Sequence, residues 1–140
     1  MRFAGFNFNK ISVERLSNKL EKIKINTKID ISKIEPFKND IFDKKEEIIS
    51  VEFTYNIDYA PNFAKIELVG DVLISAEPKT TKKILKDWKE KKMDEDFRTF
   101  LFNIILRKSN LKALQLEDEM NLPIHLPFPS LKREENKKEE

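Results

Sequence analysis

The chain is predicted to be an α+β protein: a four-stranded antiparallel sheet, a meander, packed by a long helix in the C-terminal half. Three observations predict this. Apolar and polar side chains alternate with a period of two through the first half of the sequence. After Pro78 the spacing becomes helical, and beyond Asn121 a proline-rich exit follows.

The strands come first. In "FAGFNFNKISV", Phe6 and Phe8 share one parity and Ile11 and Val13 the other. A parity change moves side chains to the opposite face, so a bulge or bend is expected near Asn9 and Lys10. One of the two groups is then hard to seat against the same core. "ERLSNKLEK" is a connection with room for one helical turn. "KIKINTKIDI" sets Ile23, Ile25, Thr27, Ile29 and Ile31 on one face and Lys22, Lys24, Asn26, Lys28 and Asp30 on the other. A polar loop is expected from about Pro36 to Lys45. From Ile49 to Tyr59 the odd positions are apolar, and the chain turns over at Ala60-Pro61-Asn62. The return strand buries Ala64, Ile66, Leu68, Val72 and Ile74. Val69 and Leu73 lie on its other face, so a covering is expected there as well. β-branched and aromatic residues dominate all four runs, as strand packing favours.

Pro78 closes the strand region, and Thr80 or Thr81 can cap a short helix over "KKILKDWKEKK", with Ile84, Leu85 and Trp88 on one side. Asp94 can cap a longer helix over about Glu95 to Met120. Its core stripe is predicted as Phe97, Leu101, Ile104, Leu111 and Leu114. "FRTFLFNIILR" is apolar almost all round, and Phe100, Phe102, Ile105 and Leu106 fall outside that stripe. These four are assigned to an oligomer interface. Asn121 ends the helix, and "LPIHLPFPSL" runs extended because Pro123, Pro127 and Pro129 forbid a helix. The domain is expected to span 1–131. "KREENKKEE", 132–140, is too polar to pack and reads as a disordered charged tail.

Composition removes most chemistry. Among 140 residues, 27 basic and 25 acidic side chains leave a net charge of +2, with no general pull toward nucleic acid or membrane. No cysteine is present, so disulfides, thiolate metal sites and a cysteine nucleophile are out. No apolar run approaches the ~20 residues of a membrane span. "MRFAGFNFNK" lacks the apolar core and cleavage site of a signal peptide, so a cytoplasmic location is expected. Two glycines, Gly5 and Gly70, cannot build a Walker or dinucleotide loop. His125 is the single histidine and cannot make a usual transition-metal site alone; a structural or solvent-facing role is expected for it. Asp94, Glu95 and Asp96 could attract magnesium, but a helix start favours carboxylates for its own dipole. No cofactor, metal or catalytic residue is assigned, and a non-enzymatic role is expected. Seven lysines between Lys79 and Lys92 surround Trp88. A nucleic-acid or anionic-lipid patch is one reading, but Asp87 and Glu90 dilute it and no arginine joins it. A solvated short helix is expected, and nucleic acid is not the expected partner.

The order of elements resembles the SecB family of protein-export chaperones over about Phe6 to Leu131. "FNFNKISVERL" resembles that family's first strand, "KIKINTKIDIS" its second, and the hairpin from Ile49 to Ser75 its third and fourth. "FLFNIILRKSNLKAL" followed by "NLPIHLPFP" resembles its main helix and the apolar, proline-containing segment after it. Two features depart. Charged "EKKMDED" stands where the family has an aromatic-Pro-Tyr stretch, after an additional helix with Trp88. The acidic tail that engages the export ATPase is replaced by "KREENKKEE", which puts that partnership in doubt.

The resemblance implies an ATP-independent holdase that binds unfolded or client polypeptide through apolar surface, assembled as a dimer or tetramer. Candidate polypeptide-binding residues are Phe6, Phe8, Trp88, Leu122, Ile124 and Phe128. The rival reading is an adaptor subunit with one fixed partner. A nucleic-acid binder using Lys82, Lys83, Lys86 and Trp88 comes third.

Overall fold

The computed structural model describes residues 1–19, 22–37, 46–131 and 133. Strands β1 (Arg2–Arg15), β2 (Lys24–Phe37), β3 (Glu47–Ala60) and β4 (Ala64–Ala76) form one antiparallel sheet, followed by helices α1 (Pro78–Lys89) and α2 (Glu95–Glu119). The class is α+β, as the two periods in the sequence require.

The strand order is β1-β4-β3-β2. A meander runs only from β2 to β4. β1 closes the other side by pairing with β4, which is a Greek-key order and a correction to the expected meander. The reason lies at the end of β1. Leu16 and Ser17 both donate backbone N–H groups to the carbonyl of Phe63, at 2.8 and 3.2 Å, beside the β3–β4 turn. The chain is tied there and resumes only at Lys24, opposite Ala60. The turn itself falls at the predicted residues, with a cis Ala60–Pro61 bond and Asn62 at φ 45°.

Phe8 pairs with Gly70 and Lys10 with Val69, so Asn9 is the extra residue of the predicted bulge. Its consequence differs from the expectation. Phe6, Phe8, Ile11 and Val13 stand opposite Val72, Gly70, Leu68 and Ile66, all on one face of the sheet. Both parities are seated against the same core. A second irregularity at Ala4 keeps Phe3 on that face, opposite Ile74. In β2 a bulge at Ser32 lets Ile34 follow Ile31 onto the core side, and the strand continues through Pro36 to Phe37. Pro36 was expected in a loop; the remainder of that loop lies outside the described residues.

Pro78 opens α1 rather than only ending the strands, because its fixed φ and missing N–H suit a first turn. Thr81, expected as a cap, is instead buried and donates its hydroxyl to Glu47 Oε1 at 2.6 Å, tying α1 to β3. Asp94 caps α2 as predicted, accepting from the Phe97 N–H at 3.3 Å. Asn121, at φ 51°, ends it; Leu122 N–H reaches back to the Glu117 carbonyl at 2.8 Å, closing the last turn.

Both helices pack on the face that carries the odd residues of β3 and the even residues of β4. Among the described residues no element covers the other face, contrary to the covering expected from Val69 and Leu73. Those two are half-buried by their neighbours in the sheet. Leu73 leans over Gly5, within 3.3 Å of where a Cβ would stand.

Candidate polypeptide-binding surface

The buried line of α2 steps every fourth residue: Phe97, Leu101, Ile105, Ser109, Ala113 and Glu117, with Leu116 beside it. This corrects the predicted stripe. Ile104 and Leu114 are only half-buried, and Leu111 is 62% exposed. Ile105, assigned above to an oligomer interface, is fully buried against the sheet within this chain. Relative to that line, Phe100, Ile104, Lys108 and Lys112 form one flank, and Phe102, Leu106, Asn110 and Leu114 the other. Thr99, Asn103, Arg107, Leu111 and Gln115 point outward and are exposed. The helix is apolar on three sides because two flanks beside the core line are lined as well.

The first flank looks onto β1. Lys108 Nζ lies 5.8 and 6.0 Å from the ring centroids of Phe3 and Phe6. Phe6 packs edge-to-face on Phe8 at 4.9 Å and against Phe53 at 5.5 Å. The ring of Phe53 occupies space that only Gly70 leaves open; a Cβ there would stand 3.0 Å from that ring and 2.5 Å from the Asn7 carbonyl. Cover fails toward the margin. Phe3 and Ile11 remain 47% and 44% exposed on the core face, and Phe6 and Phe8 are half-buried. Among the described residues β1 is also a sheet edge, paired with β4 alone. The opposite edge, β2, carries Lys24, Lys28, Lys33 and Pro36, which discourage further pairing. β1 carries Lys10, Glu14 and Arg15 and the two bulges at Ala4 and Asn9, but no proline, and between Lys10 and Arg15 its ladder is unbroken.

The second flank looks onto β3 and the extended exit. The side chains of Glu117 and His125 are both fully buried. His125 Nδ1 sits 2.9 and 3.0 Å from the two Glu117 carboxylate oxygens, and its backbone N–H donates to Oε2 at 3.2 Å. The Tyr59 hydroxyl donates to the same oxygen. His125 Nε2 lies 2.8 Å from Asn110 Oδ1, which also accepts from the Tyr55 hydroxyl at 2.7 Å. Burial, reinforced by the Glu117 charge, pushes the Tyr55 hydroxyl up to about 12. Burial and then the bond to Glu117 push Tyr59 upward also. A buried carboxylate is tolerable because each of its oxygens is met. Arg15 fastens β1 to the end of α2, with Nη1 donating to the Met120 carbonyl at 3.0 Å and the guanidinium 5.1 Å from the Phe63 ring centroid.

The sequence candidates therefore divide. Phe6 and Phe8 lie together on the β1 margin. Trp88 is half-buried on α1, packed against the core, and Leu122 is buried in that core, which removes it as a free contact. Ile124 and Phe128 are exposed on the extended exit, which His125 holds along the other flank of α2. Phe3, Ile11 and Lys108 were missed by the sequence reading; the exposed side of Phe3 depends on the Ala4 irregularity, which no residue type announces. Clefts beside these surfaces include one of about 270 Å³ between the two helix starts and one of about 610 Å³ on the polar sheet face. Among the described residues no group of acidic, histidine or cysteine side chains is placed to hold a metal, and no helix is long and apolar enough to cross a membrane.

The described residues thus define an α+β protein with helices on one face of an antiparallel sheet and, among those residues, no element on the other face and no partner for the outer side of β1. No protein-family profile matches it, and no curated protein matches it in sequence. Among solved structures it is similar to a SecB-like chaperone of Mycobacterium tuberculosis, determined in complex with a peptide from an antitoxin. The TM-score is 0.49 at 10% sequence identity, over 96% of this chain and 92% of that one.

Proposed function

We propose that this protein is a non-catalytic binder of extended polypeptide, holding unfolded or client chains on the β1 margin as an ATP-independent, chaperone-type holdase in the cytoplasm. One observation carries the reading: an unpaired edge strand bordered by a row of incompletely covered apolar side chains, Phe3, Phe6, Phe8 and Ile11. An extended segment added to such an edge gains main-chain hydrogen bonds irrespective of sequence, and alternate side chains meet the apolar row. About 1,000 Å² of burial of that kind offsets the cost of ordering the segment. Ile124 and Phe128 offer a second apolar strip on the far side of α2.

The test is suppression of aggregation. The purified protein should suppress aggregation of at least two unrelated denatured proteins without nucleotide. Phe3→Asp and Ile11→Asp, both at exposed positions, should weaken suppression while the circular dichroism spectrum stays unchanged. No suppression at several-fold molar excess, with the fold intact, would replace this reading by that of an adaptor with one fixed partner.

A further inference from the structure

The lysines of α1 have no part in the β1 margin. Ile84 is buried and Leu85 and Trp88 pack against the core, so the apolar side of this helix is spent inward. Lys79, Lys82, Lys83, Lys86 and Lys89 are all exposed, and the helix carries a single acid, Asp87, which is half-buried. Lys91 and Lys92 extend the row beyond the helix end. Among the described residues, Lys83 is 3.8 Å from Asp94 and Lys92 is 3.7 Å from Glu90, whereas Lys79, Lys82, Lys86 and Lys89 have no carboxylate within ion-pair distance. Elsewhere three exposed cations are paired, Arg2 with Glu46, Lys10 with Glu67 and Lys28 with Asp30, while Lys24, Lys33, Lys65, Arg98 and Arg107 stand singly among the described residues. What sets α1 apart is four such lysines on one helix face. A chain with almost balanced charge has gathered uncompensated cations on one helix face.

We propose that this lysine row binds the phosphate backbone of single-stranded nucleic acid without regard to sequence. Three features choose that partner. First, steps of three and four residues separate successive lysines by about 4.5 to 6 Å along the axis. A strand stacked as in a duplex carries a charge about every 3.4 Å of axial rise, and a free single strand can adjust that spacing to the row, so each lysine meets a phosphate within one or two nucleotides. Second, an acidic polypeptide would need an apolar anchor beside the charges to gain more than screened attraction. The outward face of α1 offers none, whereas counterion release from a polyphosphate needs none. The same lack of outward apolar residues removes insertion into a lipid surface. Third, the row contains lysine and no arginine, and Trp88 is turned inward, so neither base edges nor base stacking is addressed.

The experiment is fluorescence anisotropy of a labelled thymidine oligonucleotide and of a mixed-sequence RNA of equal length, between about 50 and 200 mM salt. Both should bind alike, and the logarithm of affinity should fall with the logarithm of salt with a slope of about −3, from four unpaired lysines at about 0.7 each. Lys82→Glu with Lys86→Glu should lower affinity at least tenfold, leaving the circular dichroism spectrum and aggregation suppression as in the parent. Binding unaffected by that double variant would overturn the assignment, as would no binding at the lowest salt. Tighter binding of polyglutamate than of the oligonucleotide would overturn it in favour of an acidic protein partner.

Discussion

Gly70 is held small from two sides, by the carbonyl of Asn7 and by the ring of Phe53. Gly70→Ala should therefore cost about 1 to 3 kcal/mol, as overpacking does, read as a lower denaturant midpoint. A change below about 0.5 would mean that β1 can shift outward at no cost. Ser109 is the opposite case. Among the described residues its hydroxyl is the one buried side-chain oxygen without a partner, so Ser109→Ala should be neutral or stabilising. The two buried tyrosines give a pH signature. A free tyrosine loses its proton near 10, whereas Tyr55 holds its own up to about 12 and Tyr59 is shifted the same way. Folding thus retains protons that the unfolded chain would release, and the stability this supplies is complete below about pH 10 and drains away toward about 12. Thermal melts across that window should show the decline, and Tyr55→Phe should make it shallower, leaving the share that Tyr59 supplies. An equally steep decline in Tyr55→Phe would assign the loss to other groups. The polar network could be found in the sequence only indirectly. Tyr55 and Tyr59 share the buried parity of β3, and two buried phenols require partners. Glu117, alone on a charged helix, reads as solvated until Ser109 and Ala113 are admitted to the same buried line.

At the scale of elements, the strands were legible almost residue by residue because one face of the sheet is buried and a slip of one residue would invert it. The bulge at Asn9 was legible too, though not its effect, since parity alone cannot say which face the second half rejoins. α2 was legible in extent but not in orientation. Apolar residues at its core line and on both flanks blur the stripe that periodicity seeks, and the true line includes Ser109 and Glu117. Mutation separates the two assignments. Ile105→Ala should cost about 2 to 5 kcal/mol, and Leu111→Ser within about 0.5. Comparable losses from both would restore Leu111 to the core. Trp88 stands among the candidate polypeptide contacts in the sequence, yet the lysines around it occupy the outer face of α1 and leave the ring packed against the core.

For the whole molecule, exposed apolar groups outnumber what one binding margin uses. Leu106, Leu111, Ile124, Leu126 and Phe128 are exposed on α2 and the exit that returns along it. Self-association through this side is expected at micromolar concentration, burying on the order of 1,600 Å² in total. Sedimentation equilibrium should give a mass above 16.6 kDa. A clean single-chain mass would leave those residues as a second client strip.

The Greek-key order has a kinetic side. Phe6 finds its neighbour in Val72, while β2 and β3 each meet the next strand along the chain. On the ribosome, at about 5 to 20 residues per second, an aromatic strand waits seconds for the strand that will shelter it. During that interval β1 is itself an unfolded segment of the composition this protein is proposed to hold. Having one ladder and a late partner, it should also be the first strand to open. Its amides should exchange with solvent ahead of those of β3, which is paired on both sides, and a protomer already folded could shelter the β1 of the next.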